Sequence, residues 1–319
     1  MQQLPKTDSW LGVAMAIREV SSEEDASKYD DGATVLVLKD TFGKLRQGDA
    51  FLNSLASEVA YQRNCRGVVT RSRAPFAQIR RELPFSHHED SILLMDENIL
   101  LGAEDLLDEA PSYLQEDWFR HFPEMLRPSR LCLILGGTGS RSDLHADPLS
   151  WTGWNCLLQG SKAWRFYCHE HERSEPFQSS LRPFGVKSQS KDEPKEVELC
   201  SIGTSFVSEV DTFATGAVDM PFSLGADLSR FPKVSNVTRP LEYLQKPGET
   251  LIFPGHWWHQ TYHLGETVGF AGQLLNQQNL RRVMGHVIEW CGLEVDEAIW
   301  QQSPQEVITQ VLGDAIDSM

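Results

Sequence analysis

No C-x-x-C pair occurs among the six cysteines of this 319-residue chain, so a structural zinc site or a thioredoxin-like redox pair lacks its usual ligand spacing. The cysteines, at 65, 132, 156, 168, 200 and 291, are widely scattered. That argues against a disulfide framework and for reduced thiols in an intracellular protein, cytoplasmic or nuclear. No apolar run approaches the roughly 20 residues of a membrane span. The short apolar stretch at 10–17 follows Asp8 and precedes acidic sequence, so a cleaved signal peptide is not expected. Positive charge is scarce: 29 Lys and Arg stand against 45 Asp and Glu, a net of −16 with neutral histidines. Phosphate contacts need a basic surface, so this balance disfavours nucleic acid as the main partner and is compatible with a basic protein substrate. The densest basic stretch, Arg63, Arg66, Arg71, Arg73, Arg80 and Arg81, reads as a solvated surface helix and loop. G-x-S-x-G, H-E-x-x-H and Walker motifs are absent. The glycine-rich turn at 136–139 lacks the third glycine and the following helix of a dinucleotide site.

What is present is mainly β. Residues 34–38, 91–95, 130–135, 154–158, 163–167, 250–253, 257–263 and 267–274 have the apolar, β-branched character of strands bounded by Gly, Pro and Asp turns. A helix start is expected at 21–25, helical spacing at 48–61, and short helices at 103–108 and 113–119. Residues 169–198 are polar and charged, and the signals from 199 to 246 are short and interrupted. From 276 the pattern is helical, with Leu280, Val283, Met284, Val287 and Ile288 on one face and a second helix over 304–316. The expectation is a jelly-roll or barrel with flanking helices. Its parts are an N-terminal region at 1–125, a core at 126–275 with an insertion at about 169–230, and C-terminal helices at 276–319.

Three side chains carry the chemistry. In a strand, residues i and i+2 face the same way, so His145 and Asp147 of LHADPL point together while Ala146 points away. His259, in FPGHWWHQ, lies 112 positions beyond Asp147, and only a fold can bring it to them. Two imidazoles and one carboxylate on one side of a metal form the facial triad of non-haem Fe(II) oxygenases. His256 alternates away from His259, while His87, His88, His169 and His171 sit in polar segments; none of these reads as a metal ligand. The set Trp151, Trp154, Trp164, Trp257, Trp258 and Phe253 reads as packing and not as a methyl-lysine cage.

The segments LHADPLSWTGWNCLLQGSKAW and RPLEYLQKPGETLIFPGHWWHQ resemble the JmjC (jumonji C) family of Fe(II)- and 2-oxoglutarate-dependent oxygenases. The resemblance covers about 130 to 275 well and 15 to 130 loosely. It implies a double-stranded β-helix (jelly-roll, cupin-like) core, with His145, Asp147 and His259 as iron ligands. It implies Lys162 as the cation for the distal carboxylate of 2-oxoglutarate, Ser142 as a second anchor, and Asn155 as a polar group facing cosubstrate and iron. Two positions depart from the pattern: Leu93 stands where relatives place a tyrosine, and His263 where a polar residue, often Asn, follows the distal histidine. The implied reaction uses Fe(II), 2-oxoglutarate and O2 to hydroxylate a protein side chain, lysine being the first expectation. Alternatives are demethylation of methyl-lysine or methyl-arginine, hydroxylation of a tRNA base, and a catalytically weak binding scaffold. The resemblance also raises a homodimer through the C-terminal helices, whose apolar face equally fits packing on the barrel.

Overall fold

The computed structural model describes residues 16–21, 26–30, 32–43, 52, 55, 58–100, 104–167, 179–186, 200–208, 210–213 and 240–318. In chain order the strands are β1 (Ala16–Val20), β2 (Thr34–Leu38), β3 (Glu58–Cys65), β4 (Val68–Pro75), β5 (Asp90–Asp96), β6 (Cys132–Gly136), β7 (Leu144–Ala146) and β8 (Thr152–Gln159). They continue with β9 (Lys162–Tyr167), β10 (Ser179–Val186), β11 (Cys200–Ser208), β12 (Leu241–Gln245), β13 (Thr250–Pro254), β14 (Trp258–His263) and β15 (Thr267–Leu274). Two sheets result. The larger has the order β1-β2-β13-β8-β15-β6-β5-β3-β4, the smaller β10-β11-β7-β14-β9-β12. Apart from the parallel pair β1–β2, the ladders are antiparallel. This is the expected β class with flanking helices, in a jelly-roll arrangement of two facing sheets.

Apolar alternation sets which faces meet. Val35 and Val37 of β2, Leu251 and Phe253 of β13, and Trp164 and Phe166 of β9 form one buried cluster with Trp257. The opposite parity of β2 and β13, Leu36, Leu38 and Ile252, joins Trp154 and Cys156 of β8, Phe270 of β15, and Leu94, Leu133 and Leu135 in the largest core. The chain before 126 therefore supplies strands to the sheet itself, through β2 against β13 and β5 against β6.

The helix expected at 48–61 is corrected over its last four residues, which begin β3; much of the remainder, like the helix start at 22–25, lies outside the described residues. Leu52, Leu55 and Val59 have helix-like spacing, but Val59 is the buried residue of a strand whose neighbours are mostly exposed. The basic stretch is likewise not a helix and loop. Arg63, Arg66, Arg71 and Arg73 sit on the β3–β4 hairpin, and only Arg80 and Arg81 lie on a helix, Phe76–Glu82. Arg66 and Gly67 make the two-residue turn with φ of 49° and 85°, the positive pair that a type I′ hairpin turn requires.

Of the expected insertion, 179–186 and 200–208 are described, and they pair as a hairpin whose β11 extends the smaller sheet beside β7. Residues 210–213 are also described, with Val210, Thr212 and Phe213 buried, and the rest of that insertion falls outside the described residues. The C-terminal helices Leu280–Cys291 and Pro304–Ser318 pack on each other and on Phe119, Phe122, Leu149 and Trp151. The apolar face of the first is thus covered within the chain. Among the described residues no helix is long and apolar enough to cross a membrane.

Candidate active site

The smaller sheet sets out the site as a ladder. His145 on β7 is the direct cross-strand partner of His259 on β14, and such partners share a face with closely spaced Cβ atoms. Their rings lie 4.2 Å apart between centroids. Beyond β14, the register places His259 beside Phe166, Thr261 beside Trp164 and His263 beside Lys162 on β9. His145, His259, Thr261, His263, Trp164 and Lys162 all line one cavity of about 400 Å³. Ala146 points to the other side, into a cluster with Leu144, Tyr167 and Trp258, as the alternation required.

Asp147 ends β7. Its amide donates to the Gly255 carbonyl at 3.0 Å, and the Trp151 indole donates to its carboxylate. The chain then turns through Leu149 and Ser150, both with positive φ, 54° and 53°. That conformation costs roughly 1–2 kcal/mol per non-glycine residue, and burial of Leu149 in the helical cluster holds it. Gly153 on β8 leaves the space the carboxylate uses: a Cβ there would stand 2.8 Å from Asp147 Oδ2 and 2.4 Å from the Phe253 ring.

The three candidate ligand groups converge. Asp147 Oδ1 is 3.7 Å from His145 Nε2 and 3.8 Å from His259 Nε2, and one ligand atom from each residue falls within 4.8 Å of the others. Both rings have a fixed tautomer. His145 Nδ1 faces the Asp143 carbonyl at 2.8 Å and His259 Nδ1 the Trp257 carbonyl at 3.1 Å. A carbonyl only accepts, so each Nδ1 carries the proton and each Nε2 offers a lone pair. Burial pushes both imidazoles down to about 4, with each other's proximity adding to the effect at His145, which keeps them neutral. Burial pushes Asp147 up to about 6, against the pull of His145. A carboxylate and two neutral imidazoles held this close suit a divalent cation, which would relieve the cost of burying the carboxylate.

At the other end of the cavity Lys162 is only 3% exposed. Its Nζ lies 4.5 Å from the Trp164 ring centroid, and among the described residues no carboxylate pairs with it. Burial brings its pKa down to about 7. Among the described residues two further buried atoms on the cavity wall have no partner, Asn155 Oδ1 and His263 Nε2. The His263 tautomer follows from its neighbour. The Thr267 hydroxyl donates to the Gly136 carbonyl, so it accepts from His263 Nδ1–H, and Nε2 holds a lone pair. Ser142 Oγ accepts from the Thr261 amide at 3.0 Å and the Thr261 hydroxyl at 3.2 Å, leaving its own O–H to donate into the cavity. A buried cation, a hydroxyl donor and a metal-ready triad along one cavity fit a small dicarboxylate bound between cation and metal.

A cupin-like domain model matches residues 18–273. The chain belongs to the cupin-like domain family. Its relatives bear out the JmjC resemblance. The chain is 30% identical over 193 residues to the lysine-specific demethylase JMJ21 of Arabidopsis thaliana, covering 60% of this chain and 17% of that protein. It is 24% identical over 192 residues to the 2-oxoglutarate and iron-dependent oxygenase JMJD4 of Mus musculus, covering 56% and 37%. Against the bifunctional arginine demethylase and lysyl-hydroxylase psr-1 of Caenorhabditis elegans it is 24% identical over 173 residues, covering 54% and 36%. The matched region thus spans well under half the length of these relatives.

The six residues singled out from sequence all line the cavity: His145, Asp147, His259, Lys162, Ser142 and Asn155. Leu93 and His263, the two departures, line it as well. Sequence reasoning missed Thr261 and Gly153. Thr261 was signalled by parity with His259, two residues before it, and Gly153 by parity with Asn155, two residues after.

Proposed function

We propose that the chain is an Fe(II)- and 2-oxoglutarate-dependent oxygenase that hydroxylates a protein side chain, with lysine as the first candidate. The observation that carries this reading is Lys162, a buried cation with no carboxylate partner among the described residues, in the same cavity as the triad. His145, Asp147 and His259 would hold the metal, leaving the opposite side open. Lys162 and Ser142 would hold the distal carboxylate, and Asn155 and Thr261 would orient the cosubstrate by hydrogen bonds. The chemistry that Fe(II), 2-oxoglutarate and O2 supply together is conversion of 2-oxoglutarate to succinate and carbon dioxide, with one oxygen atom passed to a substrate C–H bond. Trp164, Phe166 and Phe253 around His259 keep bulk water from the reacting centre.

Protein side chains are supported as substrates by the relatives' names, which specify lysine and arginine residues. Demethylation would use the same oxygen transfer followed by loss of formaldehyde. A tRNA base is disfavoured by the net charge of −16. Free thiols at Cys65 and Cys132 support a reducing, intracellular setting. A homodimer through the C-terminal helices would have to use their outer faces, because the inner face is buried within the chain.

The test is succinate formation from 2-oxoglutarate with Fe(II) present, coupled to mass spectrometry of candidate lysine- and arginine-bearing peptides. Gain of one oxygen supports hydroxylation, and loss of a methyl group redirects the reading to demethylation. Absence of iron-dependent succinate formation, with wild-type folding intact, would overturn it.

A further inference from the structure

The sheet face that lines the cavity continues beyond it. Cross-strand partners share a face, so the register can be followed outward. Asn155 on β8 pairs with Ala271, which pairs with Cys132. One pleat on, Ile134 pairs with Met95, and one pleat further Leu93 pairs with Gln62, which pairs with Arg71. Arg71 and, two residues later, Arg73 therefore lie on the cavity face of the sheet, on its edge strand β4. The whole run 68–73 is exposed.

A groove of about 310 Å³ runs from the cavity toward the hairpin. It shares Gln62, Leu93, Ser142 and Asp143 with the cavity and reaches Asn64 and Val69 on the hairpin. Its lining holds two buried polar atoms without a partner among the described residues, Ser140 Oγ and Arg141 Nη1. Leaving such groups unsatisfied costs about 1–3 kcal/mol each, which a bound polar chain would recover. Charge is graded along the groove. Asp143 is exposed where groove and cavity meet, Asp211 is neutralised by Arg141 at 2.6 Å, the hairpin end of the groove is uncharged at Asn64, Gly67 and Val69, and Arg71 and Arg73 stand beyond Val69 on β4. Among the described residues Arg71 has no carboxylate partner, and exposed Arg73 donates to the Glu58 carbonyl at 3.2 Å and lies 4.0 Å from the Glu58 carboxylate.

We propose that this groove and the open face of β4 bind the flank of the protein substrate as an extended acidic segment. Its carboxylates meet Arg71 and Arg73, and its target side chain enters the cavity past Asp143. This rests on the protein-hydroxylase reading above. Ser140 and Arg141 take backbone carbonyls, since an O–H and an N–H donate. Five strand steps separate β8 from β4, about 24 Å at ~4.8 Å per step. An extended chain crosses that distance in about seven residues, so the acidic residues lie about five to seven positions from the target. A peptide fits better than a nucleic acid: among the described residues the groove lining has no aromatic side chain on which a base would stack.

The test is fluorescence anisotropy on the full chain with a labelled peptide bearing one lysine and glutamates about five to seven residues away. The comparison probes are the same peptide with glutamines and a single-stranded RNA of similar length. The glutamate peptide is expected to bind at least about tenfold tighter than the glutamine peptide. The double variant Arg71→Gln/Arg73→Gln should abolish that difference, while Arg281→Gln, on the distant helix Leu280–Cys291, should preserve it. Equal binding of the two peptides, wild-type binding by the double variant, or tighter binding of the RNA would each overturn the proposal. So would a change of oligomeric state in the double variant, which would show that a second copy covers this face. Metal and 2-oxoglutarate binding by the same variants should be unchanged. If they persist while peptide discrimination is absent, the groove assignment fails and the oxygenase reading stands.

Discussion

Two lysines on the same β framework show how a structural cation differs from a site cation. Lys39, just after β2, sits against Glu249 at 2.5 Å and Glu19 at 2.8 Å, with Tyr243 at 3.3 Å. Burial opposes its charge, but these hydrogen bonds win and hold its pKa above the usual lysine range. Lys162 has burial without the carboxylates, and its pKa falls to about 7. The outer belt around Lys39 is complete as folded. The inner cavity is short of an anion at Lys162 and short of a cation at Asp147. A cavity with opposite charge deficits at its two ends is built for a ligand pair.

The largest effect expected from breaking this contrast is at Lys162. Lys162→Met should weaken 2-oxoglutarate binding by about a hundredfold, the loss of a buried charge-assisted pair. It should also raise apo stability by about 1–3 kcal/mol, since an unpaired buried polar group is removed. Lys39→Met should do the reverse, costing about 1–3 kcal/mol because Glu249 is left buried, with cosubstrate affinity unchanged. Thermal denaturation and calorimetry on both variants would show the two opposite signs; the same sign for both would dissolve the distinction.

Next in size is Gly153→Ala. The added Cβ would crowd Asp147 Oδ2 and Phe253, so metal affinity should fall by about 10–100-fold, while Lys39-type structural contacts stay intact. Divalent-metal titration monitored by calorimetry measures this.

The smallest effect is on pH dependence, and its sign differs at the two ends of the cavity. Lys162 has a folded value near 7, below that of the unfolded chain, so the apo protein gains stability from this group as pH rises from about 7. Cosubstrate binding favours the charged form and therefore takes up a proton above that pH. Affinity for 2-oxoglutarate should then fall by up to roughly tenfold per pH unit above about 7. Asp147 titrates near 6, so metal affinity should fall as pH drops below about 6, with His145 and His259 protonating only near 4. A metal affinity flat between pH 5 and 7, measured by the same calorimetry, would contradict the buried-carboxylate account.

Strand parity made much of this legible in advance. It placed His145 and Asp147 on one side with Ala146 opposite, and the strands from 130 to 167 and 250 to 274 were readable from their apolar runs. The hairpin β3–β4 was not readable. Its strands bury little, with Val59 and Ala74 as their buried residues, so alternation has almost no amplitude there. The Arg66–Gly67 turn was the available signal, and the helix-like spacing of Leu52, Leu55 and Val59 obscured it. Thr261 and Gly153 stayed hidden for a different reason. Their importance lies in what they stand beside, Ser142 and Asp147, and such proximity exists only once the two sheets face each other.

The central claim is that triad and lysine act on one bound pair, a divalent metal and 2-oxoglutarate. Its most direct test is anaerobic calorimetric titration of 2-oxoglutarate into Mn(II)-loaded protein, comparing wild type with Asp147→Ala and Lys162→Met. The account predicts binding by the wild type and loss of about a hundredfold or more in affinity in each variant. Wild-type affinity in either variant would contradict it.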